Sequence, residues 1–366
     1  MNRLGIVQVS ADRGIAPGST KGAAQHLRGV AAGLAGRGHC VVTYSARPAE
    51  GPFPGTVVPL ERLDDLTGGR PTGSLGVGAD RTVIYERYSL GHRAGLDLAR
   101  RLGAPFVLEV NAPLAAEASQ HRPGTMGPSD VMIETELIAG ADLVIAVSTE
   151  LADWVSTLRD GPTVVMANGF EPAWFADAAT PATPDYPLVF IGHPKPWHGA
   201  DRLVDLLVAL DRRGSRPDLL VVGGGPGADD LRSAARRAGV EAQVTVTGPL
   251  PPDEASALLS RAGIGLAPYR RQEPFYFCPL KVIDYLAAGL PVVSTDQGDI
   301  PRLVGDAGTI VDPDDEGALV DAVAALLSDP EHRAALGSAG RSRAMATMTW
   351  DHVAASTEAA VNGVLR

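Results

Sequence analysis

The chain has 366 residues, more than a single hydrophobic core usually spans, so its length predicts two domains. Its 32 basic and 43 acidic residues give a net charge of −11, which argues against a nucleic-acid partner and against strong attachment to anionic lipid. The two cysteines, Cys40 and Cys278, form no paired framework, and no apolar run reaches the roughly 20 residues of a membrane-spanning helix. We therefore expect a cytoplasmic protein without a transmembrane segment.

The first half of the sequence alternates between apolar runs and segments with helical spacing. Residues 23–34 repeat apolar side chains every three or four positions, which is typical of an amphipathic helix. The apolar runs of strand length are residues 4–9, 40–44, 57–60, 82–85, 106–110, 142–148 and 163–169. This alternation predicts a parallel sheet covered by helices. Ligands collect at the carboxyl ends of the strands in such sheets, which makes Glu86, Arg87 and Asn111 candidates for substrate contacts.

A segment rich in proline and alanine, residues 171–187, separates the two halves and is predicted to be a linker. After it the alternation of strands and helices resumes. The apolar runs of the second half are residues 188–192, 219–222, 243–247, 264–269, 292–294 and 309–311. The sequence thus predicts two successive α/β domains.

The stretch from residue 273 to residue 294 carries the strongest functional signal. A run with helical spacing begins at Leu280, and Pro279 precedes it where proline is tolerated. The first amides of a helix lack partners within it and lie at the positive end of its dipole, so they favour an anion. Lys281 and Asp284 lie on the same side of that turn and could serve the phosphates and the ribose of a nucleotide sugar. On these residues alone, a solvated surface pair is the commoner explanation.

The motif FYFCPLKVIDYLAAGLPVV, residues 275–293, resembles the nucleotide-binding signature of retaining glycosyltransferase family 4. The stretches YERYS, LEVNAPLAAE, ADLVIAVS and VMANGF resemble other parts of that family. The resemblance implies the GT-B architecture, an α/β fold of two facing Rossmann-like domains with parallel sheets. It implies an acceptor-binding domain over residues 1–178 and a nucleotide-sugar-binding domain over residues 179–347. A C-terminal helix, within residues 348–366, is expected to cross back to the N-terminal domain.

In this family the carboxylate that matches Asp284 holds the ribose hydroxyls. A second motif carboxylate, eight residues earlier, falls on Tyr276 in this chain. The resemblance therefore carries over no acid for the donor sugar, and Glu273 is the candidate substitute.

The resemblance also implies cations in the turn after the first strand of the second domain. His193 and His198 stand where the family commonly has Arg and Lys, and histidines are mostly neutral at pH 7. Lys195 is our candidate for the missing charge, because a diphosphate needs compensation in a low-dielectric site. The other predicted donor contacts are Gly22, Gly192, Gly248, Leu250, Glu273, Cys278, Pro279 and Leu280. The predicted acceptor contacts are Glu86, Arg87 and Asn111.

We therefore expect an enzyme, a retaining glycosyltransferase. It would move a sugar from a nucleoside diphosphate donor, with uridine as the expected base, to a hydroxyl of a small molecule or glycan. Lys195 and Lys281 would stabilise the leaving diphosphate, and Asp284 would hold the donor. A leaving phosphate oxygen would take the proton of the acceptor, so we expect no dedicated protein base, no metal and no other cofactor.

Two further motifs allow rival interpretations. Residues 223–228 match the dinucleotide fingerprint of a nicotinamide-dependent oxidoreductase, but the strand at residues 243–247 ends without the acid that holds a ribose. Residues 312–314 spell the metal-binding DxD of a different glycosyltransferase fold, although aspartates beside proline more often form a turn and a cap. A nucleotide-sugar epimerase of the same architecture and a carbohydrate-binding protein without activity stay open as alternatives.

Overall fold

The computed structural model describes residues 3–67, 81–121, 124, 126–179 and 181–365. The chain divides into two compact units. Unit 1 consists of Met1–Gly169, Tyr276–Cys278 and Trp350–Arg366, and unit 2 consists of Phe170–Phe275 and Pro279–Thr349. The motif of residues 275–293 is therefore divided between the units, since Tyr276–Cys278 belongs to unit 1 and the helix that follows belongs to unit 2.

The sheet of unit 1 is parallel throughout the described residues. Its strands run in the order β3-β2-β1-β4-β5-β6-β7. They are β1 (Gly5–Ser10), β2 (Cys40–Ser45), β3 (Thr56–Pro59), β4 (Thr82–Arg87), β5 (Phe106–Val110), β6 (Leu143–Ala146) and β7 (Thr163–Val165). The first helices are α1 (Gly22–Gly36), α2 (Ala94–Leu102), α3 (Leu114–His121), α4 (Pro128–Gly140) and α5 (Thr149–Ser156). The interior strand β1 is buried along its whole length, as expected for a parallel strand covered on both faces.

Unit 2 repeats this plan with a second parallel sheet. Its strands run in the order β10-β9-β8-β11-β12-β13. They are β8 (Tyr186–Ile191), β9 (Leu219–Val222), β10 (Val244–Val246), β11 (Ala262–Ala267), β12 (Val292–Thr295) and β13 (Gly308–Val311). The helices are α6 (Arg202–Arg212), α7 (Pro226–Ala238), α8 (Pro252–Leu259), α9 (Leu280–Ala287), α10 (Ile300–Val304), α11 (Glu316–Ser328) and α12 (Pro330–Thr347). The strand order reverses between β8 and β11, and a crevice at the carboxyl ends of such strands is the usual ligand site.

The last helix, α13 (Trp350–Val364), belongs to unit 1 and packs against α1. A Cβ added at Gly29 would lie 2.0 Å from the Trp350 ring, and one at Gly33 would lie 2.5 Å from the Trp350 carbonyl oxygen. The two glycines therefore let the helices approach closely. This packing confirms the predicted return of the C-terminal helix to the N-terminal half.

The predicted α/β class with two parallel sheets is confirmed. Every apolar run predicted to be a strand overlaps one. Over the ranges that the structure describes, no helix is both long enough and apolar enough to cross a bilayer.

Candidate functional site

Helix α9 connects β11 to β12, so its first turn lies beyond the carboxyl ends of the unit 2 strands. Pro279 precedes the helix in an extended conformation, and no side chain caps the first turn. Among the described residues, none accepts a hydrogen bond from the N–H of Leu280 or Lys281. These amides and the positive end of the helix dipole are therefore available to an anion.

Tyr285 fixes α9 against the sheet. Its buried hydroxyl accepts a hydrogen bond from Ile191 N at 2.9 Å and donates one to Leu266 O at 3.0 Å. A Cβ added at Gly265 would lie 2.4 Å from the Tyr285 ring, so glycine at that position makes room for the ring. The helix is thereby held against the ends of β8 and β11.

Lys281 is a buried cation without a hydrogen bond. The residue is only 8% exposed, and no described residue accepts from Nζ. Nζ lies 4.1 Å from the centre of the Phe190 ring and 5.1 Å from that of Tyr269. Burial lowers the pKa of Lys281 to about 7. An arriving anion would restore the charged form, because an opposite charge nearby raises the pKa of an amine.

Asp284 is the carboxyl group closest in sequence to Lys281, yet the two do not form an ion pair. Its side chain is partly buried, and no described donor bonds its carboxyl oxygens. Burial raises the pKa of Asp284 to about 7. Lys281 and Asp284, which the sequence predicts to bind the donor, thus both lie in the first turns of α9 without a hydrogen-bond partner among the described residues.

The turn after β8 carries two histidines, of which His198 lies close enough to Lys281 to be influenced by its charge. Gly192 has a φ of 114°, and a Cβ added there would lie 3.9 Å from Lys281 Cε. His193 is exposed, with Nδ1 2.7 Å from Gly224 O, while His198 Nδ1 lies 2.9 Å from His193 O. Burial, and then the neighbouring Lys281, lower the pKa of His198 to about 3. His198 is therefore a neutral group at pH 7.

Lys195 lies exposed in the same turn. Its charge also contributes to the lowered pKa of His198, so it acts in the same local field as Lys281. Because His198 is neutral, it adds no positive charge for a diphosphate. The lysines of this turn and of the start of α9 are Lys195 and Lys281.

Three other predicted donor contacts lie on loops of unit 2. Gly248 and Leu250 follow β10, and Gly248, at a φ of 79°, bridges to Gly223 at the end of β9. Glu273 is exposed in the loop before α9 and has no described partner. Their roles stay predictions.

The predicted donor contacts Gly22 and Cys278 pack with unit 1. Gly22 is exposed at the first residue of α1. The buried Cys278 accepts hydrogen bonds from Asn168, at 3.1 Å from the backbone N to Sγ and at 2.7 Å from Nδ2 to the carbonyl oxygen. The thiol therefore serves a contact within unit 1.

The glycines of residues 223–228 are required by packing within unit 2. A Cβ added at Gly223 would lie 2.2 Å from Gly192 O, and one at Gly227 would lie 2.2 Å from Pro194 O. These glycines let the chain approach itself, so their spacing needs no bound dinucleotide as its explanation.

The aspartates of the DxD sequence are engaged by an arginine. Arg271 Nη2 donates to Asp312 Oδ1 at 3.0 Å, and Arg271 Nε donates to Asp314 Oδ2. Asp312 Oδ1 also accepts from Asp314 N at 2.8 Å, which is the turn geometry expected for this sequence.

In unit 1, Glu86 is fully buried rather than open to an acceptor. Its Oε2 accepts from Gly95 N at 3.0 Å in the first turn of α2, and burial raises its pKa to about 8. This position under α2 argues against the predicted acceptor contact, because the carboxyl group serves the end of a helix instead.

Arg87 and Asn111, the other predicted acceptor contacts, share one carboxylate. Arg87 Nη1 and Asn111 Nδ2 donate to Glu109 Oε1 at 3.0 Å and 2.6 Å, respectively. The two side chains are therefore brought together at the carboxyl ends of β4 and β5.

Glu109 is a central residue that sequence analysis missed. It is 2% exposed, and its other contacts are Tyr85, whose hydroxyl donates to Oε2, and His26, whose Nε2 lies 2.8 Å from Oε1. Burial acts to raise the pKa of Glu109, but His26, Arg87 and the Tyr85 hydroxyl hold it well below its ordinary value. A lone glutamate inside the apolar run of residues 106–110 was the signal in the sequence.

Comparison with known proteins covers both units. The family model described as "Glycosyltransferase Family 4" matches residues 20–174, and the one described as "Glycosyl transferases group 1" matches residues 186–329. The chain is 36% identical over 165 residues to a GDP-mannose-dependent alpha-(1-6)-phosphatidylinositol monomannoside mannosyltransferase of Mycobacterium tuberculosis, a match over 44% of this chain and 43% of that relative. It is 28% identical over 351 residues to a D-inositol 3-phosphate glycosyltransferase of Corynebacterium glutamicum, over 89% of this chain and 82% of the relative.

Solved structures share the fold over nearly the whole chain. The sucrose-phosphate synthase from Thermosynechococcus elongatus has a TM-score of 0.71 at 20% identity and 99% coverage of both chains. Anabaena HepE in complex with UDP has a TM-score of 0.72 at 17% identity, with 98% of this chain and 100% of that chain covered. The two parallel sheets and these neighbours define the GT-B fold. The chain belongs to glycosyltransferase family 4, which confirms the resemblance seen in the sequence.

Proposed function

We propose that this protein transfers a sugar, with retention of anomeric configuration, from a nucleoside diphosphate donor to a hydroxyl of an acceptor. The observation that carries the proposal is the pair Lys281 and Asp284 at the start of α9, neither of which has a hydrogen-bond partner among the described residues. A buried charge without a partner is costly, so a ligand that supplies the partner is its natural explanation.

The donor would bind through its diphosphate and its ribose. The free amides at the start of α9 and the Lys281 ammonium donate to phosphate oxygens, and Lys195 adds a second positive charge from the turn after β8. Asp284 accepts from the ribose hydroxyls. The anion raises the pKa of Lys281 from about 7, so the lysine is charged once the donor is bound.

The reaction then breaks the bond between the anomeric carbon and the phosphate oxygen and forms the bond to the acceptor oxygen on the same face. The departing phosphate oxygen takes the proton of the acceptor hydroxyl, so charge and protons balance without a separate base. Lys281 and the dipole of α9 stabilise the negative charge that grows on the leaving group. We propose that these groups, with Lys195, supply the compensation that a metal ion supplies in other enzymes.

Uridine is the base that the sequence analysis predicts, and HepE is solved with UDP. Guanosine is the second candidate, because the name of the mycobacterial relative specifies GDP-mannose. We propose a hydroxyl-rich small molecule or glycan as the acceptor, since the names of the relatives give an inositol phosphate and a phosphatidylinositol mannoside. A cytoplasmic location is also proposed, supported by Cys40 and Cys278, which form no disulfide within the described residues.

Calorimetric titration with UDP and with GDP tests the site. Lys281→Gln should lower the affinity for the preferred nucleotide by about tenfold or more, because it removes a charged hydrogen bond. Arg237→Gln, at an exposed arginine of α7 without a described partner, is the matched control and should bind like the wild type. Asp284→Asn should weaken binding, with the exposed Asp230→Asn as its control.

Unchanged nucleotide affinity in both site variants would contradict the assignment of Lys281 and Asp284. The transfer itself is tested by incubating the protein with a panel of nucleotide sugars and acceptors and following the anomeric protons by NMR. Retained configuration is expected, and an inverted product would contradict the proposed stereochemistry. Hydride exchange with NADH or epimerised donor without transfer would favour the rival activities.

A further inference from the structure

Tyr276 and Glu117 form a side-chain pair between residues 159 positions apart in the sequence. Tyr276 is 6% exposed, and its hydroxyl donates to Glu117 Oε1. Its backbone oxygen accepts from Ser148 Oγ at 2.8 Å. Burial, and then Glu117, raise the pKa of Tyr276 well above its ordinary value, so the hydroxyl is protonated and acts as the donor. The tyrosine is thus held at its backbone and directs its hydroxyl to one carboxylate.

Glu117 has acceptor capacity that this bond does not use. Its side chain is partly exposed, and no described residue bonds its Oε2. A carboxylate offers about four acceptor positions, of which the Tyr276 hydroxyl takes one. The remaining positions are free for donors that arrive from solution.

The place of Glu117 in the fold suits a ligand contact. It lies in the first turn of α3, which follows β5 after residues 111–113, so it stands beyond the carboxyl end of that strand. Arg87, the last residue of β4, and Asn111, the first residue after β5, lie at the same edge of the sheet. In open parallel sheets this edge is where ligands bind.

We propose that Glu117 is a substrate-binding carboxylate that accepts hydrogen bonds from the hydroxyls of a sugar ring, and that Tyr276 positions it. The proposal rests on the proposed function, since a glycosyltransferase must hold sugar rings. Neighbouring hydroxyls of a ring match the two oxygens of a carboxylate, and bonds to a charged acceptor are stronger than neutral ones. Glu273, which sequence analysis considered for this task, lies in unit 2 and has no described partner that would fix it.

The ring belongs either to the donor or to the acceptor, and steady-state kinetics of the full-length protein distinguish them. Glu117→Gln keeps an acceptor for the Tyr276 hydroxyl but removes the charge. We expect it to lower kcat/KM by about tenfold or more, while the affinity for the nucleotide alone and the unfolding temperature stay as in the wild type. Tyr276→Phe keeps the carboxylate but frees it, so a smaller loss is expected. Glu150→Gln, at an exposed glutamate in the first turn of α5, is the matched control.

A raised KM for the donor sugar in Glu117→Gln assigns the ring to the donor, and a raised KM for the acceptor assigns it to the acceptor; both support the proposal. Wild-type kinetics in Glu117→Gln overturn it, as does a loss of activity that only follows a loss of stability. The latter result would mean that Glu117 merely satisfies the tyrosine hydroxyl. If the wild-type protein transfers no sugar, both the proposed function and the assignment of Glu117 are contradicted. If the wild type and Glu117→Gln transfer sugar with the same kcat/KM, only the assignment of Glu117 is contradicted.

Discussion

Glu109 in unit 1 and Lys281 in unit 2 are both buried charges near the carboxyl ends of parallel strands, yet their surroundings differ. Glu109 is contacted by His26, Tyr85, Arg87 and Asn111, so its charge is balanced within its own unit. Lys281 has two aromatic rings and no hydrogen bond to a described residue. A buried charge with internal partners holds a structure together, whereas one without them is stabilised by a ligand. We therefore expect removal of the charge to lower the stability of the protein at Glu109 and to raise it at Lys281.

The largest effect is expected for Glu109→Ala. Removing this carboxylate leaves the Arg87 guanidinium and the Tyr85 hydroxyl without their acceptor, and breaking a buried ion pair costs about 3–5 kcal/mol. Urea unfolding should therefore give a free energy of unfolding lower by about that amount. Glu150→Ala, at an exposed glutamate, should change it by less than about 0.5 kcal/mol. If Glu109→Ala lost no more unfolding free energy than this control, the conclusion that the charge of Glu109 is balanced by partners within unit 1 would be contradicted.

The second effect has the opposite sign. Lys281→Met keeps most of the length and the apolar contacts of the side chain but removes a buried charge, and replacing buried charges by apolar groups stabilises by about 1–4 kcal/mol where packing is kept. We expect a gain of about 1–3 kcal/mol in the free energy of unfolding, measured without nucleotide at pH 7. Arg237→Met should give no gain. If Lys281→Met destabilised the protein, the lysine would be a structural residue.

A smaller effect should appear in the pH dependence. The pKa of Asp284 is raised to about 7, so below the ordinary carboxyl pKa near 4 its contribution to stability is fully present. As the pH rises from about 4 to about 7, the unfolded chain loses this proton first and stability falls. A tenfold difference in proton affinity between the folded and unfolded chains is worth about 1.4 kcal/mol, so wild type should lose at least about this much relative to Asp284→Asn over that range. Parallel curves for the two proteins would exclude an unpartnered buried carboxyl group.

The smallest effect is expected where charges are both paired and solvated. Arg271 bonds Asp312 and Asp314 at the surface, where solvent screens such pairs, so they add little to stability. Arg271→Gln should therefore leave both the urea midpoint of unfolding and the nucleotide affinity close to the wild-type values. A large change in stability or in nucleotide affinity would contradict the expectation that this exposed ion pair matters less than the buried charges of Glu109 and Lys281.

Local patterns were sufficient to predict the strands and the start of α9. Apolar runs such as residues 219–222 mark buried parallel strands because both faces of the strand must be apolar. Lys281 and Asp284 could be predicted as a pair because they are three residues apart on one helix. Their lack of partners could not, since it depends on what the ends of β8 and β11 bring beside them.

The polar groups of unit 1 were beyond the reach of local patterns. Glu109 is balanced by His26, which is distant in the chain, and Tyr276 reaches Glu117 across 159 positions. Glu86 was predicted to face a substrate from its place at a strand end, but the position of α2 decides its burial. Such contacts depend on tertiary structure and cannot be predicted from the spacing of residues along the sequence.

The division of the chain has a consequence for its synthesis. Unit 1 needs the residues from Trp350 onward, whereas unit 2 ends at Thr349. During synthesis, therefore, the surface of α1 at Gly29 and Gly33 stays uncovered until α13 is translated, which happens only after the residues of unit 2. Domains usually fold as they are released, so the later unit should complete its folding before the earlier one.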